Sequence, residues 1–375
     1  MFSASDHALM TRALRLAERG LATTHPNPRV GCVVAHSDEI VGEGWHQRAG
    51  GPHAEVFALR AAGARARGAT AYVTLEPCGK HGRTPPCADA LIEAGVARVV
   101  VASEDAFQEG GGAPERMRAA GIEIEHGLLR EAAREINRGF FSRVERGRPW
   151  VRIKLATTLD GRTAAANGES QWITGAPARA DVQHWRARSS AILTGSGTAR
   201  VDNPRLTLRL DELAPARTDP DDVPPVPPLR VVLDAHLDLP AEAHLLDGSV
   251  PTLVLHAPAA LADERHAAVE TAAIEIRDGH LDLGAIMALL AARGVNELQV
   301  EAGAVLCGTL FEQDLVDELL LYVSPMLLGD RAKPLAVLPS LAAMSDRLSF
   351  LVSERRQIGE DTRLLLRPVG PDRKP

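Results

Sequence analysis

The residues with the clearest chemical potential lie in two short stretches of the first third of the chain. Gly51-Pro-His-Ala-Glu55 places a His-x-Glu step at the start of a predicted helix. Thr74-Leu-Glu-Pro-Cys78 ends an apolar strand on a cysteine, and after eight intervening residues Cys87 opens another helix. One imidazole and two thiolates suit Zn2+ and leave its fourth tetrahedral position open. Three protein ligands plus water are the pattern of a catalytic zinc site, because the metal turns bound water into a nucleophile near neutral pH. His53, Cys78 and Cys87 are therefore the expected metal ligands. Glu55, two residues from His53, is the expected catalytic group that carries protons. His81, between the cysteines, is a rival ligand, and a fourth protein ligand there would make the zinc structural.

This donor set beside a glutamate is the arrangement of hydrolytic deaminases that act on nucleobase rings. Their usual Pro-Cys-x-x-Cys step is shorter, so the eight intervening residues predict an inserted loop that shapes the pocket.

A second chemical signal lies further along. Ala191-Ile-Leu-Thr-Gly-Ser-Gly-Thr198 and Val300-Glu-Ala-Gly303 are both apolar strands that run into glycine-containing turns. Such turns let backbone N–H groups approach a phosphate, and two of them could clamp a dinucleotide. Neither is a Gly-x-Gly-x-x-Gly fingerprint, and a plain strand exit is as good a reading of each alone.

The elements that must hold these residues alternate along the chain. Helical periodicity covers 5–19, 54–67, 85–94, 114–120 and 129–138. Apolar runs at 29–35, 69–75 and 96–102 read as strands. Strands apolar throughout and alternating with helices predict a sheet covered on both faces. Gly147-Arg-Pro149 is the best boundary: 1–146 would form one domain, 147–149 a linker and 150–369 a second domain. In the second, strands are expected at 150–157, 191–194, 229–233, 252–256, 297–301, 318–324, 348–353 and 362–367. Helices are expected at 177–188, 283–293 and 306–313. Residues 211–229, with six prolines and five acidic residues, read as a surface loop.

Composition sets the frame. The 375 residues are 45% hydrophobic and 24% charged, which argues for a globular chain of roughly two or three domains. A net charge of -7 disfavours a nucleic-acid partner. No long uninterrupted apolar stretch predicts a membrane span, and the N-terminus reads as an amphipathic helix; the cytoplasm is the default compartment. Cys32 and Cys307, in apolar runs, read as small core residues.

The loop from Thr74 to Cys87, with its Leu-Glu-Pro-Cys and Gly-Arg-Thr-Pro-Pro-Cys ends, closely resembles the bifunctional deaminase/reductase family of riboflavin biosynthesis. Pro26-Asn-Pro-Arg-Val-Gly-Cys-Val33, Gly44-Trp-His46, Val151–Arg162, Glu169-Ser-Gln-Trp-Ile-Thr174, Arg186-Ala187, Asp202-Asn-Pro-Arg-Leu-Thr207 and Leu315-Val-Asp-Glu318 match the same family in order. The resemblance implies an α/β chain with an N-terminal cytidine deaminase-like α/β/α domain and a C-terminal dihydrofolate reductase-like α/β domain. It implies zinc-dependent deamination of a pyrimidinone bearing a ribosylamino 5′-phosphate, then NADPH-dependent reduction of the ribosyl group to ribityl. It also implies a homo-oligomer with small phosphorylated pyrimidines as partners.

Carried over residue by residue, Asn27, His46 and Arg83 would contact the deaminase substrate. Ala156, Trp172, Thr198, Asp202 and the turn Gly303, Ala304, Val305, Leu306, Cys307, Gly308 and Thr309 would form the NADPH site. Ser170, Arg186, Leu206, Arg209 and Glu301 would hold the reductase substrate, with Arg186 and Arg209 offering the fork that fits a phosphate. Three positions depart from the family pattern: Lys80 replaces a histidine, Ala302 a glycine and Ala235 a serine. Ala302 is tolerable there if its φ stays negative. The rival reading is a zinc nucleoside or tRNA deaminase with an appended nucleotide-binding domain.

Overall fold

The computed structural model describes residues 1–81, 85–106, 112–213, 223–339 and 343–369. The chain divides into two compact units: Met1–Gly147 joined by Val223–Val226, and the remainder from Arg148 onward.

In the first unit the elements run α1 (Ala4–Glu18), β1 (Gly31–His36), β2 (Glu39–Trp45), α2 (Ala54–Ala62), β3 (Thr70–Leu75), α3 (Cys87–Ala94), β4 (Arg98–Ser103), α4 (Ala113–Ala119), β5 (Glu123–His126), α5 (Arg130–Ile136) and α6 (Arg138–Arg146). The strands form one sheet in the order β2-β1-β3-β4-β5. β1 is antiparallel to both neighbours, and β3, β4 and β5 are parallel. Residues alternate across the pleat. Val34, Val73, Val99 and Val101 meet Ala58, Leu91 and Met117 of α2, α3 and α4 on one face. Val33, Tyr72 and Val100 meet Leu9, Met10 and Ala13 of α1 on the other. Both faces are covered, which is why β3 and β4 carry no polar alternation.

Local chemistry sets the ends. Ser3 caps α1 through a reciprocal box with Asp6. The helix expected over 54–67 ends at Ala62, because Gly63 takes a positive φ and the chain continues as a short 3-10 turn. The edge strands β2 and β5 escaped the sequence reading: β2 is interrupted by Gly42 and Gly44, and β5 is short and mostly charged.

The second unit runs β6 (Trp150–Thr158), β7 (Arg162–Ala164), α7 (Ala176–Arg188), β8 (Ala191–Gly195), α8 (Ser196–Asp202), β9 (Leu229–Leu233), β10 (Thr252–His256), β11 (Glu270–Ala273), β12 (Ile276–Arg277), β13 (His280–Leu281), α9 (Leu283–Ala292), β14 (Glu297–Val300), α10 (Ala304–Glu312), β15 (Glu318–Ser324), β16 (Lys333–Pro334), β17 (Ser349–Ile358) and β18 (Asp361–Val369). Nine strands form the main sheet, ordered β11-β10-β9-β8-β14-β6-β15-β18-β17. It is parallel from β11 to β15 and ends in the antiparallel pair β18 and β17. Ile286 and Leu290 of α9 and Leu310 of α10 pack on one face. Trp185 of α7 and Ala199 of α8 pack on the other. Among the described residues, no helix is long and apolar enough to cross a membrane.

Candidate functional site

In the first unit, three separate elements deliver the expected metal ligands to one point. His53 is the N-cap of α2 and makes no side-chain cap bond, so its ring is turned away from the helix backbone. Cys87 opens α3, and Cys78 follows the C-terminal end of β3. One ligand atom from each lies within 4.8 Å of the others. His53 Nδ1 is 3.2 Å from Cys87 Sγ and 3.6 Å from Cys78 Sγ. Backbone ties reinforce the pair: the Cys87 N–H donates to Cys78 Sγ at 3.2 Å, and the Ala88 N–H to the Cys78 carbonyl at 3.2 Å.

The electrostatics fit a cation. The Cys87 thiol and His53 hold the Cys78 thiol far below its ordinary value, at about 4. The same closeness to Cys78, with burial, pushes Cys87 strongly up. Two sulfurs this near cannot both ionise cheaply, and a divalent ion removes that conflict. Hydrogen bonding to Cys78 raises His53, against the effect of its burial. One imidazole and two thiols converging at this spacing match zinc. His81 is exposed and not part of the cluster, so the rival fourth ligand is not brought in.

Glu55 sits in the first turn of α2, 3% exposed, and its Oε2 has no hydrogen-bond partner among the described residues. Burial raises its carboxyl above the ordinary range, opposed by His53. His46 is 2% exposed. Its Nδ1 donates to the Pro52 carbonyl at 3.0 Å, because a carbonyl can only accept. Its Nε2 therefore accepts from Asn27 Nδ2 at 3.1 Å. Burial lowers the His46 pKa, consistent with that neutral form. The His46 and His53 rings meet edge to face, with centroids 5.4 Å apart. Asn27 and His46 thus form one unit beside the metal ligands. Lys80 is exposed, and Arg83 lies outside the described residues. Asp105, which the sequence reading passed over, adds a negative field that helps raise His53.

In the second unit, parallel neighbours β8 and β14 each run into a helix N-terminus. Gly195 caps α8 and Gly303 caps α10, neither with a side-chain bond. A Cβ on Gly303 would lie 3.5 Å from Thr198 Oγ1, so the two turns face each other closely. Uncapped N–H groups at the C-terminal ends of adjacent strands are a site for a dinucleotide pyrophosphate. The residues fit NADPH in that respect. Trp172 is 62% exposed with the Arg179 guanidinium 4.2 Å from its ring centre. Thr198 and Ala156 are half-buried, and Asp202 is exposed at the end of α8. Ala304, Leu306 and Thr309 are half-buried and Val305 exposed. Cys307 and Gly308, in the same stretch, are buried. Cys307 is fully buried in the core, and a Cβ on Gly308 would lie 1.8 Å from the Val337 carbonyl. That stretch is a helix whose inner face is committed to packing. Ala302 is not among the non-glycine residues with positive φ, so the family glycine is dispensable there.

The residues expected to hold substrate are arranged differently from a simple phosphate fork. Arg186 Nε and Nη2 donate to the two oxygens of Glu301, at 2.7 and 2.9 Å, and Nη1 donates to the Thr207 carbonyl at 3.0 Å. The fork of Arg186 is occupied by Glu301. Burial would raise the Glu301 carboxyl, but Arg186 overcomes it and holds it at about 2. Arg209 is exposed beside Glu212, with its backbone N–H on Gln183 Oε1 at 3.1 Å. Leu206 is buried with φ 49°, and Ser170 is half-buried. Lys154 was missed: burial lowers its pKa, against the pull of Glu301, and it sits 5.9 Å from the Tyr322 ring centre. The available signal was a lysine two residues after Arg152 inside an otherwise apolar central strand.

Two family profiles match. The cytidine and deoxycytidylate deaminase zinc-binding region matches residues 3–103, and the RibD C-terminal domain matches residues 149–363. The riboflavin biosynthesis protein RibD of Escherichia coli (strain K12) is 47% identical over 367 residues, covering 96% of this chain and 99% of its own. The chain belongs to the RibD family. Haemophilus influenzae RibD is 46% identical over 372 residues, covering 98% of this chain and 99% of its own. A solved structure of Acinetobacter baumannii RibD aligns with TM-score 0.87 at 40% identity, over 97% of this chain and 99% of the other. The Thermotoga maritima deaminase/reductase aligns with TM-score 0.84 at 32% identity, over 97% and 99%. As a RibD family member the chain is a bifunctional enzyme of riboflavin biosynthesis. Its first unit is a zinc deaminase and its second an NADPH-dependent reductase.

Proposed function

We propose that His53, Cys78 and Cys87 hold the zinc and that Glu55 is the proton carrier of the deaminase. The substrate we assign is the diaminohydroxyphosphoribosylaminopyrimidine named for the Thermotoga maritima protein. Bound zinc supplies a Lewis acid that makes water nucleophilic near neutral pH. Asn27 and His46 orient the pyrimidinone ring, and Glu55 Oε2 takes a proton from the attacking water and returns it to the departing amine. The observation that carries this reading is the unpartnered, buried Oε2 of Glu55 beside the three converging ligands.

In the second unit, NADPH when bound would supply the hydride that reduces the ribosyl group of 5-amino-6-(5-phosphoribosylamino)uracil, the substrate named for the Thermotoga maritima reductase. The N–H groups at Gly303 and Ala304 would hold the cofactor pyrophosphate, and Ala156, Trp172, Thr198, Asp202 and the exposed side of α10 would line the rest of its site. Ser170, Leu206 and Arg209 contact the substrate, and the Arg186–Glu301 pair fixes the wall against which its ribosyl group lies. A small phosphorylated pyrimidine, no nucleic acid, a homo-oligomer and a cytoplasmic setting complete the reading.

Glu55→Gln tests it. The variant is expected to keep its zinc and lose deamination by at least about 100-fold, the scale of a lost general acid–base. It should still oxidise NADPH with the deaminated substrate. Deamination at the wild-type rate would overturn the role of Glu55, and loss of both activities would point to misfolding.

A further inference from the structure

One guanidinium touches both chain segments that carry the sulfur ligands. Arg116 Nη1, on α4, donates to the carbonyl of Gly79 at 2.8 Å, the residue directly after Cys78. Its Nη2 pairs with Asp89 Oδ1, two residues after Cys87 in the first turn of α3. Gly79 is buried. The guanidinium is planar with donors at fixed angles, so meeting both acceptors sets the distance between them.

The eight-residue spacing makes such a tie valuable. Where two residues separate the cysteines, covalent geometry alone keeps the sulfurs close. Eight residues leave many more backbone states to be excluded, and the cost of closing a loop grows with its length. The bonds from Cys87 N–H and Ala88 N–H to Cys78 tie the two segments to each other. Arg116 ties both to a third element, α4, whose Met117 is packed in the core against the sheet.

We propose that Arg116 is a positioning residue of the zinc site, holding the Cys78 and Cys87 segments at the separation the metal requires without touching metal or substrate. The proposal rests on His53, Cys78 and Cys87 being the zinc ligands. As a plain surface ion pair it would do little, since the Arg116 and Asp89 side chains are 40% and 48% exposed. Its effect belongs in metal affinity, where groups that orient ligands typically matter by about 10- to 100-fold.

The test uses the full-length zinc-loaded protein and a chromophoric chelator that reports zinc release. Arg116→Met is expected to weaken zinc binding by about 10- to 100-fold, with NADPH oxidation by the second unit unchanged. Arg116→Lys recovers only part, because an ammonium cannot span both acceptors with fixed geometry. Asp89→Asn shifts affinity the same way by less, and the double variant is no weaker than Arg116→Met alone. In the cobalt-substituted protein, Arg116→Met alters the visible bands of the thiolate-bound ion. Wild-type zinc affinity in Arg116→Met, with the reductase intact, would overturn the proposal; so would effects of the two substitutions that merely add. If Arg116→Met misfolds, both activities fall together and Asp89→Asn alone decides. A wild-type protein that takes up no zinc would sink the ligand assignment itself, which is a different result from tight binding that Arg116→Met leaves unchanged.

Discussion

At the residue scale, each unit places one carboxylate in an opposite setting. Glu55 is buried without a partner for Oε2, which suits a group that must gain and lose a proton. Glu301 is half-buried and fully paired with Arg186, which suits a fixed charge. The pairing has a consequence for acid stability. Glu301 has an ordinary value of 4.5 and is held at about 2 in the folded chain. Its pKa is depressed on folding, so its contribution is fully present above about pH 4.5 and is lost as pH falls toward about 2. Glu301→Gln should therefore flatten the pH dependence of unfolding across that window, measured by denaturant melts at several pH values. At neutral pH the same variant should cost on the order of 3 kcal/mol, because it leaves Arg186 buried without its countercharge. Of these features, the convergence of His53, Cys78 and Cys87, with Glu55 at the same helix start as His53, was legible from residue type and spacing. The Arg186–Glu301 pair was not, because the two residues are far apart in sequence and only the juxtaposition of α7 with the end of β14 joins them.

At the element scale, the deaminase site depends on how closely α2 lies against β2. A Cβ at Gly44 would fall 2.4 Å from Phe57 Cβ and 2.7 Å from the Ala54 carbonyl, and at Gly42 it would fall 2.2 Å from the Ala58 carbonyl. Neither glycine is there for turn geometry; each makes room for a helix backbone. Gly44→Ala should push the first turns of α2 outward, carrying His53 and Glu55 with it. The expected cost is about 1–3 kcal/mol of stability, as for other overpacked sites, with weaker zinc binding and slower deamination. Thermal melting and chelator competition would measure both. Most helices and apolar strands could be read from periodicity, since burial on both faces imprints a continuous apolar pattern. α8 could not, because Ser196-Gly-Thr198 looks like a turn and becomes helical only where the end of β8 meets the core through Ala199.

At the scale of the whole molecule, the two chemistries should be separable. Removing zinc with a chelator is expected to abolish deamination and leave NADPH oxidation unchanged, followed in one sample with each substrate in turn. The proline-rich stretch is less dispensable than a plain surface loop. Residues 214–222 lie outside the described residues, but Val223–Val226 belong to the first unit. There the Val226 N–H donates to the Ala22 carbonyl at 2.8 Å, Arg48 Nη2 donates to the Pro224 carbonyl at 3.1 Å, and Val223 packs against the core cluster on the α1 side of the sheet. Replacing 223–226 with Gly-Ser repeats should lower the thermal stability of the first unit by about 1 kcal/mol, because the prolines that restrict the unfolded chain are lost, seen by calorimetry as a shift confined to one transition. Residue types and their order were enough to determine the fold class, the zinc chemistry and the family, because ligand chemistry and hydrophobic period are local properties. The apolar run around Cys307 likewise already marked it as a core residue. Only the tertiary structure decided that His46 is buried and neutral, that Arg186 faces a carboxylate and that Val223–Val226 return to the first unit. Each of those depends on which distant segments share a boundary, and packing, not spacing along the chain, settles that.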